Sequence, residues 1–92
     1  MKEQLVKILA DAVTRLQADG SLPADITPAV TVERTRDRAH GDFASNLAMT
    51  LAQPARAKPR DIAEKLVTAL AGDGHVEKVE IAGPGFINFF LG

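Results

Sequence analysis

The stretch that decides the fold is VEKVEIAGPGFINFFL, residues 76–91, in which two apolar-rich runs flank Gly83-Pro84-Gly85. Glycine and proline at the centre favour a tight turn. The run before the turn alternates imperfectly between apolar and polar residues, as a partly exposed strand does, and the run after it is rich in phenylalanine and isoleucine. The stretch therefore predicts two antiparallel strands joined by a short turn.

The second of these strands, FINFFL, has two different sides, because successive side chains of an extended chain point to opposite faces. One side holds Ile87, Phe89 and Leu91, and the other holds Phe86, Asn88 and Phe90. The entirely apolar side is the expected core face. On the other side, an aromatic ring can stack on a nucleobase while a carboxamide pairs with the edge of the base. Helices on both sides of the sheet would instead place these phenylalanines in the core, and the alternation alone does not separate the two interpretations.

Upstream of this hairpin, apolar periodicity predicts three helices. The first extends over residues 2–19, with one apolar stripe. The second is predicted over residues 43–53, with Asp42 as its N-cap because a carboxylate can accept hydrogen bonds from the free amides of a first turn. The third begins at Pro59, a residue suited to the first turn of a helix, and ends before Gly72.

The β-branched segment AVTVER, residues 29–34, predicts one more short strand. The resulting order of elements is α-β-α-α-β-β. This order predicts an α+β domain in which a small, mainly antiparallel β-sheet has helices packed on one face. A chain of 92 residues can form one modest core, so residues 1–92 are predicted to be a single domain.

The composition excludes several classes of protein. The chain has no cysteine, which excludes disulfides and thiolate metal sites and fits a reducing compartment. No apolar run approaches the roughly 20 residues that cross a bilayer. The N-terminal segment carries acidic residues through its apolar stretch, unlike a signal peptide. We therefore expect a cytoplasmic protein with no membrane partner.

The formal net charge of −1 hides an uneven distribution of charge along the chain. Residues 34–60 carry six basic and two acidic side chains, whereas the rest of the chain is acidic overall. A basic segment of this kind can face a polyanion. If the chain runs extended through Arg34, Arg36 and Arg38, the three side chains point the same way and can grip successive phosphates. A solvated surface loop is the alternative, and charge alone favours it.

Patterns typical of catalysis and metal binding are absent from the sequence. His40 and His75 are isolated, and no spacing implies a nucleophile–base pair or a set of metal ligands. There is neither a GxGxxG motif nor a Walker-type phosphate loop. For these residues we predict no catalytic residue, no metal site and no cofactor.

Three segments together resemble the N-terminal domain of bacterial arginyl-tRNA synthetases: HGDFASNLAM at 40–49, KPRDIAEKLVTAL at 58–70 and VEKVEIAGPGFINFFL at 76–91. The resemblance implies a domain that contacts the outer corner of tRNA-Arg and reads an unpaired base of the D-loop. The base-reading pair of the family matches Phe86 and Asn88 here. Members often have tyrosine at the first position, so phenylalanine keeps the stacking surface but lacks the hydroxyl.

The resemblance also implies that the chain is a domain excised from a longer class I enzyme. The full-length enzyme of the family attaches arginine to tRNA-Arg with ATP and Mg²⁺, and its catalytic core would be the second partner of this domain. The ATP-binding motifs of that core lie outside the 92 residues, so the fragment alone is predicted to be inactive. Membranes and DNA are not expected partners. Contacts to the tRNA backbone are expected from Arg34, Arg36, Arg38, Lys58 and Arg60.

Two other interpretations of the sequence give the domain a different function. In the first, the domain mainly packs against the synthetase core and makes little direct contact with RNA. In the second, the chain is an unrelated α+β interaction domain without an RNA ligand. An RNA-recognition domain is the leading interpretation.

Overall fold

Three helices cover one face of a four-stranded sheet in the structure, a computed structural model that describes all residues from 1 to 92. The helices are α1 (Lys2–Ala18), α2 (Leu47–Ala55) and α3 (Pro59–Ala69). The strands are β1 (Glu33–Arg34), β2 (Phe43–Ser45), β3 (Val76–Ala82) and β4 (Phe86–Leu91), and a 3₁₀ turn spans Arg38–His40. None of the helices is long and apolar enough to cross a membrane.

All neighbouring strands of the sheet are antiparallel, in the order β1-β2-β4-β3. The predicted α+β class, the helices on one face and the predicted order of elements are confirmed, with β2 as one further strand between β1 and α2. The predicted hairpin is also present, with Ala82 opposite Phe86 and Ile81 opposite Ile87. The pairing of β3 with β4 is irregular between Val76 and Lys78, which explains the imperfect alternation in the sequence of β3.

The core lies between the helices and the sheet. It contains 16 buried apolar residues, and each of the three helices contributes to it along with β2 and β4. Its largest fully buried side chains include Phe89, Ile87, Leu5, Leu9, Leu47 and Leu66. Complete burial of one such side chain stabilises the folded state by about 1.5–3 kcal/mol. Ile87 and Phe89 therefore anchor β4 by the face predicted to point inward.

The start of the second helix was predicted wrongly. Phe43 to Ser45 form strand β2 rather than a first helical turn, and α2 begins only at Leu47. The cause is non-local, because β2 pairs with β4 and the carboxylate of Asp42 accepts from the N–H of Leu91 instead of capping a helix. The hydroxyl of Ser45 instead accepts the N–H of Leu47 at 3.2 Å. Phe43 is buried in the core.

The predicted strand over residues 29–34 is shorter than expected. Only Glu33 and Arg34 pair with β2, opposite Ala44 and Phe43. The length of β2, three residues, limits how far the ladder can extend. Val32 is nevertheless fully buried, so the segment contributes to the core without regular pairing.

The β3–β4 turn packs against the beginning of α3, and this contact fixes the position of Phe86 at the start of β4. Gly85 has a φ of +141°, and a Cβ at this position would lie 3.1 Å from the Cβ of Pro59. Glycine is therefore required both for the conformation and for the close approach. The guanidinium of Arg60 donates from Nη1 to the carbonyl oxygen of Gly83 at 2.7 Å. The turn is thus held by the first turn of a helix.

Candidate nucleic-acid interface

The sheet face opposite the helices carries the side chains that the sequence predicted to meet a base. In the register of the sheet, Asn88 lies between Ala44 of β2 and Glu80 of β3. Phe86 is 41% exposed and is the most exposed of the large apolar side chains. Ile87 and Phe89 are fully buried on the opposite face. The predicted division of β4 into two sides is therefore present, although Leu91 on the core side is only partly buried.

A cavity of about 380 Å³ opens on this face. The sheet forms its floor, the β3–β4 turn forms one side and the segment between β1 and β2, residues 35–42, forms the other. The residues that line it include Asn88, Phe86, Pro84, Thr35, Arg36 and His40. Its size lies within the range of about 300–1,000 Å³ that is usual for small-ligand sites. We refer to residues 35–42 as the cavity loop.

Asn88 is only 4% exposed, yet its carboxamide has no partner within the chain. None of the side-chain hydrogen bonds in the structure involves it. No unpaired side-chain nitrogen or oxygen is completely shut off from the surface, so the carboxamide must reach the cavity. Water in the cavity can satisfy this carboxamide in the free chain, and a ligand that displaces the water must supply hydrogen bonds in its place, because an unsatisfied buried group costs about 1–3 kcal/mol. An unpaired donor and acceptor thus face the cavity.

The conformation of the cavity loop is set by hydrogen bonds within it. The carboxylate of Asp37 accepts the N–H of Ala39 at 2.9 Å and caps the 3₁₀ turn. Thr35 closes the loop, because its N–H donates to the carbonyl oxygen of Asp42 at 3.1 Å and its hydroxyl donates to the carbonyl oxygen of Gly41. These bonds turn the chain back on itself, and Arg36 and His40 consequently lie on the same side of the cavity.

Arg34, Arg36 and Arg38 do not form an extended row, because the chain turns at Asp37, and the alternative of a surface loop describes this segment better. The guanidinium of Arg34 lies 4.8 Å from the centroid of the Phe43 ring, at the margin of the core. Arg36 lines the cavity, and Arg38 is exposed in the 3₁₀ turn and does not line it. Only one of the three is therefore placed to act together with Asn88.

The two basic residues predicted near α3 also differ from each other. Lys58 is the exposed N-cap residue of α3 and does not line the cavity. Arg60 contacts the cavity only indirectly, through its hydrogen bond to Gly83, which is one of the lining residues. The structure thus brings together Phe86, Asn88 and Arg36, with Arg60 behind the turn.

Sequence reasoning missed Thr35 and Ala44 as lining residues and gave His40 no specific role. Ala44 had no usable signal, since it was assigned to a helix. His40 and Thr35 reach the cavity only because the loop closes, which depends on hydrogen bonds that no periodic pattern reveals.

Phe90, which the sequence left without a role, does not line the cavity although it lies on the same face as Phe86. The ammonium group of Lys78 lies 4.3 Å from the centroid of its ring, and Lys78 also pairs with Glu80 at 3.3 Å. A Cβ at Gly41 would lie 3.3 Å from the Phe90 ring, so the cavity loop approaches it as well. Phe90 is therefore half-buried and covered within the chain.

Ionisable groups with displaced pKa values lie elsewhere in the molecule. Hydrogen bonds from Ser21 lower the pKa of Asp19 after α1, and the backbone N–H of His75 lowers the pKa of Asp73 before β3. The third is Glu3, in the first turn of α1, whose pKa is lowered chiefly by a backbone hydrogen bond. No cluster of three or more histidine, aspartate or glutamate side chains is arranged to hold a metal ion. The cavity itself offers the ring of Phe86 for stacking and the carboxamide of Asn88 for hydrogen bonds.

Comparisons with known proteins agree on one family. The family described as the arginyl tRNA synthetase N terminal domain matches residues 2–91. An arginine–tRNA ligase from Azotobacter vinelandii is 61% identical over 90 residues, and one from Ectopseudomonas mendocina is 60% identical over 90 residues. Each alignment covers 98% of this chain but 16% of the relative, so the chain spans about one sixth of the length of these ligases.

Two solved structures share the fold. The arginyl-tRNA synthetase of Plasmodium falciparum has a TM-score of 0.80 at 14% identity, over 99% of this chain and 16% of its own. The arginyl-tRNA synthetase of Thermus thermophilus has a TM-score of 0.78 at 24% identity, over 99% of this chain and 14% of its own. At such low identity these two matches concern the fold alone, whereas the family match extends over almost every residue. The chain belongs to the family of arginyl-tRNA synthetase N-terminal domains.

Proposed function

We propose that this chain is the tRNA-recognition domain of a longer arginine–tRNA ligase and that its cavity accepts an unpaired base from the D-loop of tRNA-Arg, at the outer corner of the molecule. The observation that carries the proposal is the carboxamide of Asn88, which is almost completely buried, has no partner and faces the cavity. A ligand with hydrogen-bonding edges would satisfy it. A nucleobase is such a ligand.

Phe86 would stack on the base, and Asn88 would form hydrogen bonds with its edge. The exposed ring of Phe86 offers a flat apolar surface at the entrance, and stacking of a base on an aromatic side chain contributes about 1–3 kcal/mol. The carboxamide of Asn88 can donate to and accept from one base edge, which contributes about 1–3 kcal/mol of discrimination between bases. A base in a duplex has its edge occupied and its faces stacked, so the site favours an unpaired base.

Positive charge beside the cavity would hold the backbone of the RNA. Arg36 lines the cavity and is the basic residue best placed to contact a phosphate next to the bound base. Arg34, Arg38, Lys58 and Arg60 are further from the base position, and any contact they make would place the RNA without reading its sequence. The affinity of this small surface should be weak and should fall as the salt concentration rises.

The remaining chemistry belongs to the longer ligase. Its catalytic core, in the same chain, would bind ATP and Mg²⁺ and transfer arginine to tRNA-Arg in the cytoplasm. The 92 residues supply no catalytic group or cofactor site to that reaction, and neither DNA nor a membrane is a partner in this proposal. Their contribution is to place tRNA-Arg correctly.

Binding of a tRNA-Arg transcript to the chain and to its Asn88→Ala variant tests the proposal. We expect the substitution to weaken binding roughly tenfold, because one two-point contact to a base is lost. Asn46→Ala is the matched control, since Asn46 is the other asparagine of the chain and its carboxamide bonds to Thr31 away from the cavity. Two-dimensional NMR should show perturbations at Phe86, Asn88 and the cavity loop when the RNA is added.

Equal affinities for Asn88→Ala and the unchanged chain would reject the base-binding cavity. If the variant also left arginylation by the complete ligase unchanged while deletion of the domain destabilised that enzyme, the domain would act by docking against the core. A fall in tRNA charging with unchanged activation of arginine would support recognition of tRNA by Asn88.

A further inference from the structure

Asp42 joins the cavity loop to β4 through both its backbone and its side chain. Its N–H donates to the carbonyl oxygen of Phe89 at 2.8 Å, and its Oδ2 accepts the N–H of Leu91, also at 2.8 Å. Its carbonyl oxygen accepts the N–H of Thr35 at 3.1 Å. Asp42, the last residue of the loop, therefore connects the first residue of the loop with two alternate positions of β4.

Gly41 allows this connection to be close. It is buried and has a φ of +83°, and a Cβ at this position would lie 2.5 Å from the carbonyl oxygen of Phe89. Real Cβ atoms essentially never approach an oxygen so closely, so any other residue would push the loop away from the strand. The backbone of the loop thus rests directly on β4.

The connection between the loop and β4 affects the shape of the cavity, because these two elements line different parts of it. The loop provides Arg36 and His40, and β4 provides Asn88 and Phe86. Asp42 itself does not line the cavity, and its carboxylate is directed at the strand backbone. Asp42 therefore helps to set the position of the loop relative to the sheet below the cavity, and its carboxylate does not contact a ligand in the cavity.

We propose that Asp42 is a positioning residue for RNA recognition, in which the carboxylate oxygen that accepts the Leu91 N–H holds the cavity loop at the distance from Asn88 that an incoming base requires. The proposal deepens the function given above and rests on it. It assigns a role to an acidic residue beside a surface that binds a polyanion, where charge alone would be unfavourable.

Charge and positioning predict opposite results when Asp42 is replaced by alanine. Removing a negative charge near bound RNA favours binding, since repulsion from phosphates is lost. Removing the acceptor frees the end of the loop and weakens binding, since part of the binding energy must then order the loop. Asp42→Asn separates the two effects, because it removes the charge but keeps an oxygen that can accept the Leu91 N–H.

The experiment measures the dissociation constant of a tRNA-Arg transcript for the unchanged chain and for Asp42→Ala, Asp42→Asn and Asn88→Ala, with circular dichroism to establish that each variant is folded. We expect Asp42→Ala to bind on the order of three- to tenfold more weakly, the range that corresponds to one lost hydrogen bond. Asp42→Asn should bind as tightly as the unchanged chain or more tightly. Folded Asp42→Ala with unchanged or tighter binding would overturn the proposal, as would equal weakening by both substitutions.

Hydrogen exchange at the Leu91 amide tests the same link without any substitution. If the bond from Leu91 to Asp42 and the binding of RNA support each other, saturating tRNA must slow this exchange by the same factor that the bond adds to affinity. We expect slowing of about three- to tenfold. No slowing at Leu91 in the RNA complex would reject the role of Asp42 even if Asp42→Ala fails to fold.

The two proposals fail in different ways. If the unchanged chain and Asn88→Ala bind tRNA equally, or if neither binds, the base-binding function is wrong and the role of Asp42 falls with it. If Asn88→Ala weakens binding while folded Asp42→Ala does not, only the role of Asp42 is wrong.

Discussion

Strand β4 and the cavity loop form the two halves of the same site, but they are built in different ways. β4 is held by side chains, with Ile87 and Phe89 buried beneath it. The loop is held by hydrogen bonds that Thr35, Asp37 and Asp42 make within it and to β4, and by the missing side chain of Gly41. Substitutions on the outer face of such a strand should change the stability of the fold little, whereas substitutions on its inner face should destabilise it. In such a loop, substitutions should destabilise the fold wherever the loop backbone contacts the strand.

Loss of the Phe89 side chain should produce the largest effect on stability. Phe89 is fully buried, and replacing a buried phenylalanine by alanine costs about 3–5 kcal/mol because a cavity remains in the core. We expect Phe89→Ala to lower the free energy of unfolding by this amount in a urea titration. Phe90→Ala on the outer face, where the ring is half-buried, should cost much less. Equal losses for the two substitutions would contradict the two-sided description of β4.

A methyl group at position 41 should produce the next largest effect. Gly41→Ala forces a side chain into a left-handed conformation and against the carbonyl oxygen of Phe89, so we expect a loss of stability on the order of 2–3 kcal/mol. Gly74→Ala is the matched control, because a Cβ there would meet nothing within 4 Å and the φ of Gly74 is not positive. Thermal unfolding of both variants measures the difference. Equal melting temperatures would mean that the loop does not rest on β4 as described.

These two regions also differ in how far they could be predicted from the sequence. The two faces of β4 follow from alternation alone, since a strand has a fixed period of two whatever its neighbours are. The family resemblance then favoured base recognition at the face that carries Phe86 and Asn88, and the cavity at that face is consistent with it. What alternation could not give is the burial of Asn88, because that depends on a loop distant in sequence.

The cavity loop could not be predicted because local and non-local signals conflict at Asp42. Aspartate before an apolar run is a good helix N-cap signal, and Phe43 has the correct spacing from Leu47 for one helical face. The chain nevertheless follows β4 for three residues, since pairing satisfies the backbone and the carboxylate finds the Leu91 amide. Arg34 and Arg36 are separated from Arg38 by a local feature, the turn capped by Asp37.

Phe86 and Phe90 provide the smallest and most selective comparison, because they are the same residue on the same face of the same strand. Phe86 lines the cavity and is exposed, whereas the Phe90 ring is covered by Lys78 and approached by Gly41. We expect Phe86→Ala to weaken tRNA-Arg binding by about 1–3 kcal/mol, the contribution of one stacked base, while stability changes by less than about 0.5 kcal/mol. Phe90→Ala should reverse this pattern, with lower stability and nearly unchanged affinity. Fluorescence titration with a dye-labelled transcript measures the affinity, and urea unfolding of the same samples measures the stability. A loss of affinity shared equally by the two variants would mean that the whole outer face, rather than the cavity, contacts the RNA.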